Sequence, residues 1–216
     1  MTENTYPTAP EGGDTTRRSF LLLATAATAG MGMAAAGWAL VDSMNPSADI
    51  RAAGGPVDIE LGALAPGQQI TVLWQGKPVS VVNRTPEALK TLQDPSLRSR
   101  LRDPDSHARQ QPPYAANWYR SAKPEYLILV NICTHLGCVP KFRPDANAED
   151  LAPAWPGGFF CPCHGSKYDL AGRVFQSVPA PYNLPVPPYR FVDTKTLRVG
   201  ENPPGVSFDI SQVEQL

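Results

Sequence analysis

Two short stretches, Cys133-Thr134-His135-Leu136-Gly137-Cys138 and Cys161-Pro162-Cys163-His164-Gly165-Ser166, constrain this 216-residue chain more than any other feature. Together they hold all four cysteines and two of the three histidines. Each offers Cys, His and Cys, but in a different order: Cys-x-His-x-x-Cys in the first, Cys-x-Cys-His in the second. Two equivalent half-sites are expected to repeat one spacing, and six soft or borderline donors exceed what one tetrahedral ion needs. A division of labour follows, in which four residues bind and two cysteines serve some other purpose. A Cys2His2 zinc site in a non-redox binding module draws on the same donors. Of its usual spacings, H-x3-5-H occurs in neither stretch, and C-x2-4-C only as Cys133 and Cys138 of the first, with no matching pair in the second. A framework of disulfides alone leaves both histidines unexplained.

The remaining composition is that of a loop-rich carrier. The 24 prolines and 17 glycines, against 8% aromatic residues, point to many turns rather than a helical bundle. A formal charge of -1 gives no basic excess, so nucleic acid is not an expected partner. All cysteines lie in the two boxes, leaving no spare thiol, which fits an oxidising compartment where a disulfide persists.

In order and spacing, C-T-H-L-G-C followed by C-P-C-H-G-S resembles the Rieske iron-sulfur proteins. The flanks Val139-Pro140 and Lys167-Tyr168-Asp169-Leu170-Ala171-Gly172-Arg173 resemble the iron-sulfur subunit of ubiquinol:cytochrome c reductase. That resemblance implies one [2Fe-2S] cluster per chain, with Cys133 and Cys161 as thiolate ligands and His135 and His164 as imidazole ligands. It implies a Cys138–Cys163 disulfide clamping the loops, and hydrogen bonds from Ser166 to a bridging sulfide and from Tyr168 to the Cys133 sulfur. His164 would face a quinol bound on cytochrome b, His135 would be the other exposed ligand, and Leu136 and Gly137 would form the docking tip. Two neutral imidazoles in place of thiolates favour reduction, in a range of roughly -150 to +300 mV against about -400 mV for plant-type ferredoxins. Each imidazole keeps a second nitrogen to exchange a proton.

The function so implied is transfer of an electron and proton from ubiquinol, with the electron passed to cytochrome c1 and protons translocated by the complex. The small subunit of arsenite oxidase and the plastoquinol enzyme's subunit are alternatives within the class. Proline-rich 184–189 and Gln111-Pro112-Pro113-Tyr114 lean toward the first reading. Cys138 and Cys163 disfavour an aromatic-ring oxygenase, whose Rieske proteins generally lack them. One departure stands out: the family's third loop commonly reads Gly-Pro-Ala-Pro, whereas Val178 precedes Pro179-Ala180-Pro181 here.

Taken in order, residues 1–18 read as a cytoplasmic segment ending in Arg17-Arg18, which resembles a twin-arginine export signal. Residues 19–41 read as a transmembrane helix, since 20–41 are uncharged and span roughly 33 Å. Ala34-Ala35-Ala36 could form a cleavage site, but the apolar run exceeds a short signal core, and the uncleaved reading is taken. Residues 42–56 read as a flexible tether and 57–216 as the head. The location implied is a bacterial inner membrane, with one pass through the lipid bilayer and the head in the periplasm.

Within the head, 57–61, 69–73, 77–82, 125–132, 173–175, 189–192 and 197–199 read as strands. Thr85-Pro86 reads as a capped helix start with Leu89 and Leu92 inward. The charged 94–111 reads as a solvated surface insertion carrying an exposed His107, and 141–158 as a surface loop. Phe159-Phe160 is expected to pack under the cluster. The fold class is therefore mainly β: a Rieske-type antiparallel β head with a small cluster-binding lobe, preceded by one N-terminal transmembrane helix.

Overall fold

Helix α1, Arg17–Ser43, forms where alanine and leucine dominate and neither proline nor charge interrupts positions 20–41. Its 27 residues extend about 40 Å, long and apolar enough to cross a bilayer. The Thr25 and Thr28 hydroxyls donate to the carbonyls of Leu21 and Ala24 at 2.8 and 3.0 Å, so neither presents a bare polar group on this apolar surface. Phe20, Leu22, Met33 and Trp38 are exposed along it.

The computed structural model describes residues 17–45, 47, 54–148, 150–151 and 154–216. The polar lead 1–14, the threonines at 15–16 and tether positions 46 and 48–53 lie outside the described residues. The chain divides into two units, Met1–Ile50 and Arg51–Leu216.

Among the described residues the second unit contains three three-stranded antiparallel sheets. The first, in order β1-β9-β8, joins Val57–Glu60 (β1), Thr196–Val199 (β9) and Tyr189–Phe191 (β8). The second, β2-β3-β4, joins Gln69–Trp74 (β2), Lys77–Asn83 (β3) and Tyr126–Val130 (β4). Trp74 pairs with Lys77, and Gln75 and Gly76 turn between them with φ of 50° and 71°, the double left-handed geometry that matches strand twist in a two-residue hairpin. Strands β3 and β4 are covered on both faces: Val79, Val81, Val82 and all of Leu127, Ile128, Leu129 and Val130 are buried, each worth roughly 1.5–3 kcal/mol. The third sheet, β5-β6-β7, joins Lys141–Arg143 (β5), Gly158–Phe160 (β6) and Lys167–Asp169 (β7), and carries the two boxes.

Helix α2, Pro86–Leu92, starts as the sequence indicates: the Thr85 hydroxyl accepts from Ala88 N, and Pro86 opens the first turn. Leu92 is buried and Leu89 partly so.

Four expectations are corrected. Within 141–158 the chain forms β5, because Phe142 pairs with Phe159 across β6 and their rings sit 5.4 Å apart. The segment 94–111 is not a solvated insertion. After a one-turn helix α3, Pro95–Arg98, capped by Asp94, Leu97 and Leu101 are buried and the backbone is stitched to 174–176 by Arg102 N to Val174 O and Gln176 N to Arg100 O. Its charges are met locally, as in Arg98–Asp105 at 2.7 Å, while His107 is exposed as expected. Residues 173–175 form isolated bridges, Tyr168 with Val174 and Leu101 with Phe175, rather than a strand. Lastly, Phe159 and Phe160 point to opposite faces of β6. Phe159 shares a core with Cys133, Cys161 and Tyr168, whereas Phe160 packs on a second cluster built from Leu92, Leu97, Leu101 and Trp155.

Candidate metal centre

Strand β4 leads into Cys133, and β6 runs directly into Cys161, so two sheets each feed one box. The side-chain orders differ, but the backbones repeat. In each box the first residue's N–H donates to the sixth residue's carbonyl, Cys133 to Cys138 at 2.7 Å and Cys161 to Ser166 at 2.8 Å. The fifth residue's N–H donates to the first carbonyl, Gly137 to Cys133 and Gly165 to Cys161, both at 3.0 Å. That fifth residue has φ of 81° in one box and 80° in the other, where glycine adopts the left-handed turn without a Cβ penalty. The shared unit is thus cysteine first and glycine fifth.

Cys138 and Cys163 form a disulfide between the boxes, with Cα atoms 6.7 Å apart. Cys133 and Cys161 are free thiols, each 2% exposed. The Cys161 sulfur lies within 4.8 Å of both disulfide sulfurs, but a ligand trio of Cys138, Cys161 and Cys163 is excluded because a disulfide sulfur is not a thiolate. Burial pushes the Cys161 thiol up, the Cys163 backbone N–H opposes this, and the neighbouring Cys133 sulfur adds to it. The His135 and His164 rings meet edge to face, 4.8 Å between centroids, with His164 exposed and His135 half-buried. Leu136, 71% exposed, and Gly137 stand at the tip of the first box.

The buried side supplies donors. Tyr168, fully buried on β7, donates its hydroxyl to Cys133 Sγ at 3.2 Å and accepts from Thr134 N at 3.2 Å. Its phenol is held well above the ordinary tyrosine range, first by burial and then by Cys133. Ser166 Oγ, also buried, accepts from Ala180 N at 3.1 Å, which leaves its proton to be donated elsewhere. The Thr134 hydroxyl donates to Tyr182 O at 2.7 Å. The sequence reading gave Thr134 and Ala180 no contact of their own, although it quoted both within their loops, and did not name Tyr182. The buried threonine beside a ligand-type histidine was the available signal. Val178, where glycine is common, is half-buried against both cores, and the left-handed residue is Ser177 at φ 57°.

These residues fit a two-iron, two-sulfide group by their donor chemistry. Two thiols shielded from water, two imidazoles at the surface and a hydroxyl aimed at one sulfur make a mixed sulfur and nitrogen set. A hydroxyl directed at sulfur is better matched to a metal-bound thiolate than to a thiol.

Comparison with known proteins gives a consistent result. Residues 102–189 match the Rieske [2Fe-2S] domain, and residues 7–47 match the family described as Ubiquitinol-cytochrome C reductase Fe-S subunit TAT signal. The Ubiquinol-cytochrome c reductase iron-sulfur subunit of Allochromatium vinosum is 48% identical over 200 residues, 91% of this chain and 94% of the relative. The protein of that name from Rhodospirillum rubrum is 41% identical over 203 residues, 93% of this chain and 100% of the relative. A solved structure titled Hyperthermophilic respiratory Complex III aligns at 25% identity with a TM-score of 0.46, covering 83% of this chain and 98% of that one.

Proposed function

We propose, from the premise that this chain belongs to the family of ubiquinol-cytochrome c reductase iron-sulfur subunits, that it is the electron-transfer subunit of such a complex. Cys133 and Cys161 would hold the [2Fe-2S] group through sulfur, and His135 and His164 through one ring nitrogen each. When bound, the group supplies a one-electron acceptor of raised potential. The protein's own part is to shield the sulfurs, tie the boxes together through Cys138 and Cys163, and direct Tyr168 and Ser166 at sulfur. With one ring nitrogen on the group, the exposed His164 would keep its second nitrogen to accept a proton from quinol. The observation that most supports this is the joining of the boxes at their other two cysteines, with two buried thiols left free beneath paired imidazoles.

In this reading the exposed Leu136 and Gly137 dock on cytochrome b, where quinol gives up an electron at the outer site, and the head then delivers that electron to cytochrome c1. Residues 1–18 lie in the cytoplasm, 19–41 cross the bacterial inner membrane, 42–56 form the tether, and 57–216 the periplasmic head. The match of residues 7–47 to a TAT-signal family supports export of a finished head. Low-temperature electron paramagnetic resonance of reduced membranes tests this. A mixed-ligand two-iron signal that co-purifies with cytochrome b is expected, and a redox-silent protein with one zinc per chain would overturn the reading.

A further inference from the structure

Three arginines lie inside the head: Arg84, Arg120 and Arg173, at 3%, 0% and 0% exposure. Such residues are seldom fully buried unless paired. Arg173 is paired, its Nε 2.7 Å from Oδ2 of the equally buried Asp169. Arg84 and Arg120 have no carboxylate partner among the described residues. Arg84 donates to the carbonyls of Pro124, Tyr119 and Leu170 and to Ser121 Oγ. Arg120 donates to the carbonyls of Ala171, Gly172, Gln110 and Leu184 and to Gln111 Oε1. Neutral acceptors meet these N–H groups and leave the charge standing, whereas the buried Arg120 Nε has no hydrogen-bond partner among the described residues. Burial lowers Arg120 to about 9 and Arg84 to about 10, so both stay cationic at neutral pH.

Their anchors locate that charge. Leu170, Ala171 and Gly172 follow Tyr168, whose hydroxyl meets the Cys133 sulfur. Leu184 closes the loop whose Ala180 holds Ser166 and whose Tyr182 holds Thr134. Both guanidiniums therefore bind carbonyls two to four residues beyond Tyr168, and Arg120 also binds the end of the loop that holds Ser166. With two thiolates, two sulfides and neutral imidazoles, a pair of ferric irons is formally neutral, and gaining one electron adds a unit negative charge.

We propose that Arg84 and Arg120 are a built-in counter-charge that favours the reduced form of the centre, with Arg120 the positioning residue that also fixes the proline loop behind it. This rests on the function proposed above. Interior charges are weakly screened, so the effect persists at high salt.

The test is a redox titration, followed by electron paramagnetic resonance, of membranes carrying the full chain with Arg120→Met, Arg120→Lys or Arg84→Met. Each Met variant is expected to lower the equilibrium constant for reduction by about tenfold, or about 59 mV for one electron, equally at low and high salt. Arg120→Lys should keep most of the wild-type value. A wild-type midpoint in a Met variant that binds iron overturns the proposal, as does an equal fall in Arg120→Lys and Arg120→Met, which would mark a purely structural role. If neither Met variant binds iron, the pair belongs to folding and the proposal also falls. Absence of the signal in the unaltered protein would instead remove the function on which it rests.

Discussion

The two boxes share a backbone turn and the cysteine and glycine that frame it, and differ in where they sit and how they use their other positions. The second, 161–166, is the hairpin loop between β6 and β7 inside one sheet, while the first, 133–138, lies on the way from β4 in one sheet to β5 in another. Gly137 and Gly165 nonetheless adopt the same φ and each N–H donates to its own box's first carbonyl. What differs is the use of the other positions. Box one presents His, Leu and Cys at its third, fourth and sixth residues, and box two presents Cys, His and Ser. A common turn can therefore support opposite assignments. The disulfide partner is the sixth residue in one box and the third in the other, and the sixth place vacated in box two holds Ser166.

Four measurements break or sharpen this comparison. His164→Ala should abolish the mixed-ligand signal in reduced membranes, and an unchanged spectrum would show that the boxes do not each contribute an imidazole. Replacing Cys138 and Cys163 together by serine opens a link spanning 25 residues of sequence and should cost about 3 kcal/mol. Denaturant unfolding of the head in the holoprotein measures this, and wild-type stability would mean that the boxes hold together without it. Tyr168→Phe removes the donor to Cys133 Sγ, a bond to a charged group worth roughly 1.5–3 kcal/mol. The centre should assemble with a lowered midpoint, and an unaltered midpoint counts against that contact acting on box one. Smallest, Gly137→Ala and Gly165→Ala each force a left-handed alanine where the added Cβ meets nothing, at a cost of about 1 kcal/mol. Equal losses of melting temperature are expected, and clearly unequal ones would break the equivalence of the two turns.

Strong local signals in the sequence mapped onto the fold. Alternation and β-branched content mark β2, β3 and β4, and Thr85-Pro86 marks α2. Distant pairing did not hide β1, β8 and β9, which read as strands in the sequence, but it did hide shorter elements. β5 is three residues long and owes its form to Phe159 and Phe160 on β6. The 94–111 segment looks solvated because it is charged, but Leu97 and Leu101 anchor it while Arg102 reaches Val178 O. At the centre, donor types could be read from the boxes, but their order drew attention away from the repeated Cys and Gly. Arg84 and Arg120 gave no warning, since an arginine in sequence reads as surface until the carbonyls that enclose it are known.

The last few residues have a part in the first box. Gln215 donates to the His135 carbonyl at 3.4 Å, Gln110 reaches back to Gln215 O at 3.1 Å, and Arg109 meets Gln212. These contacts tie the first box to a segment 80 positions further along the chain, so its shape depends on residues that its own sequence does not contain. Loss of that distant brace would loosen the turn at His135 while leaving all six of the box's own residues in place.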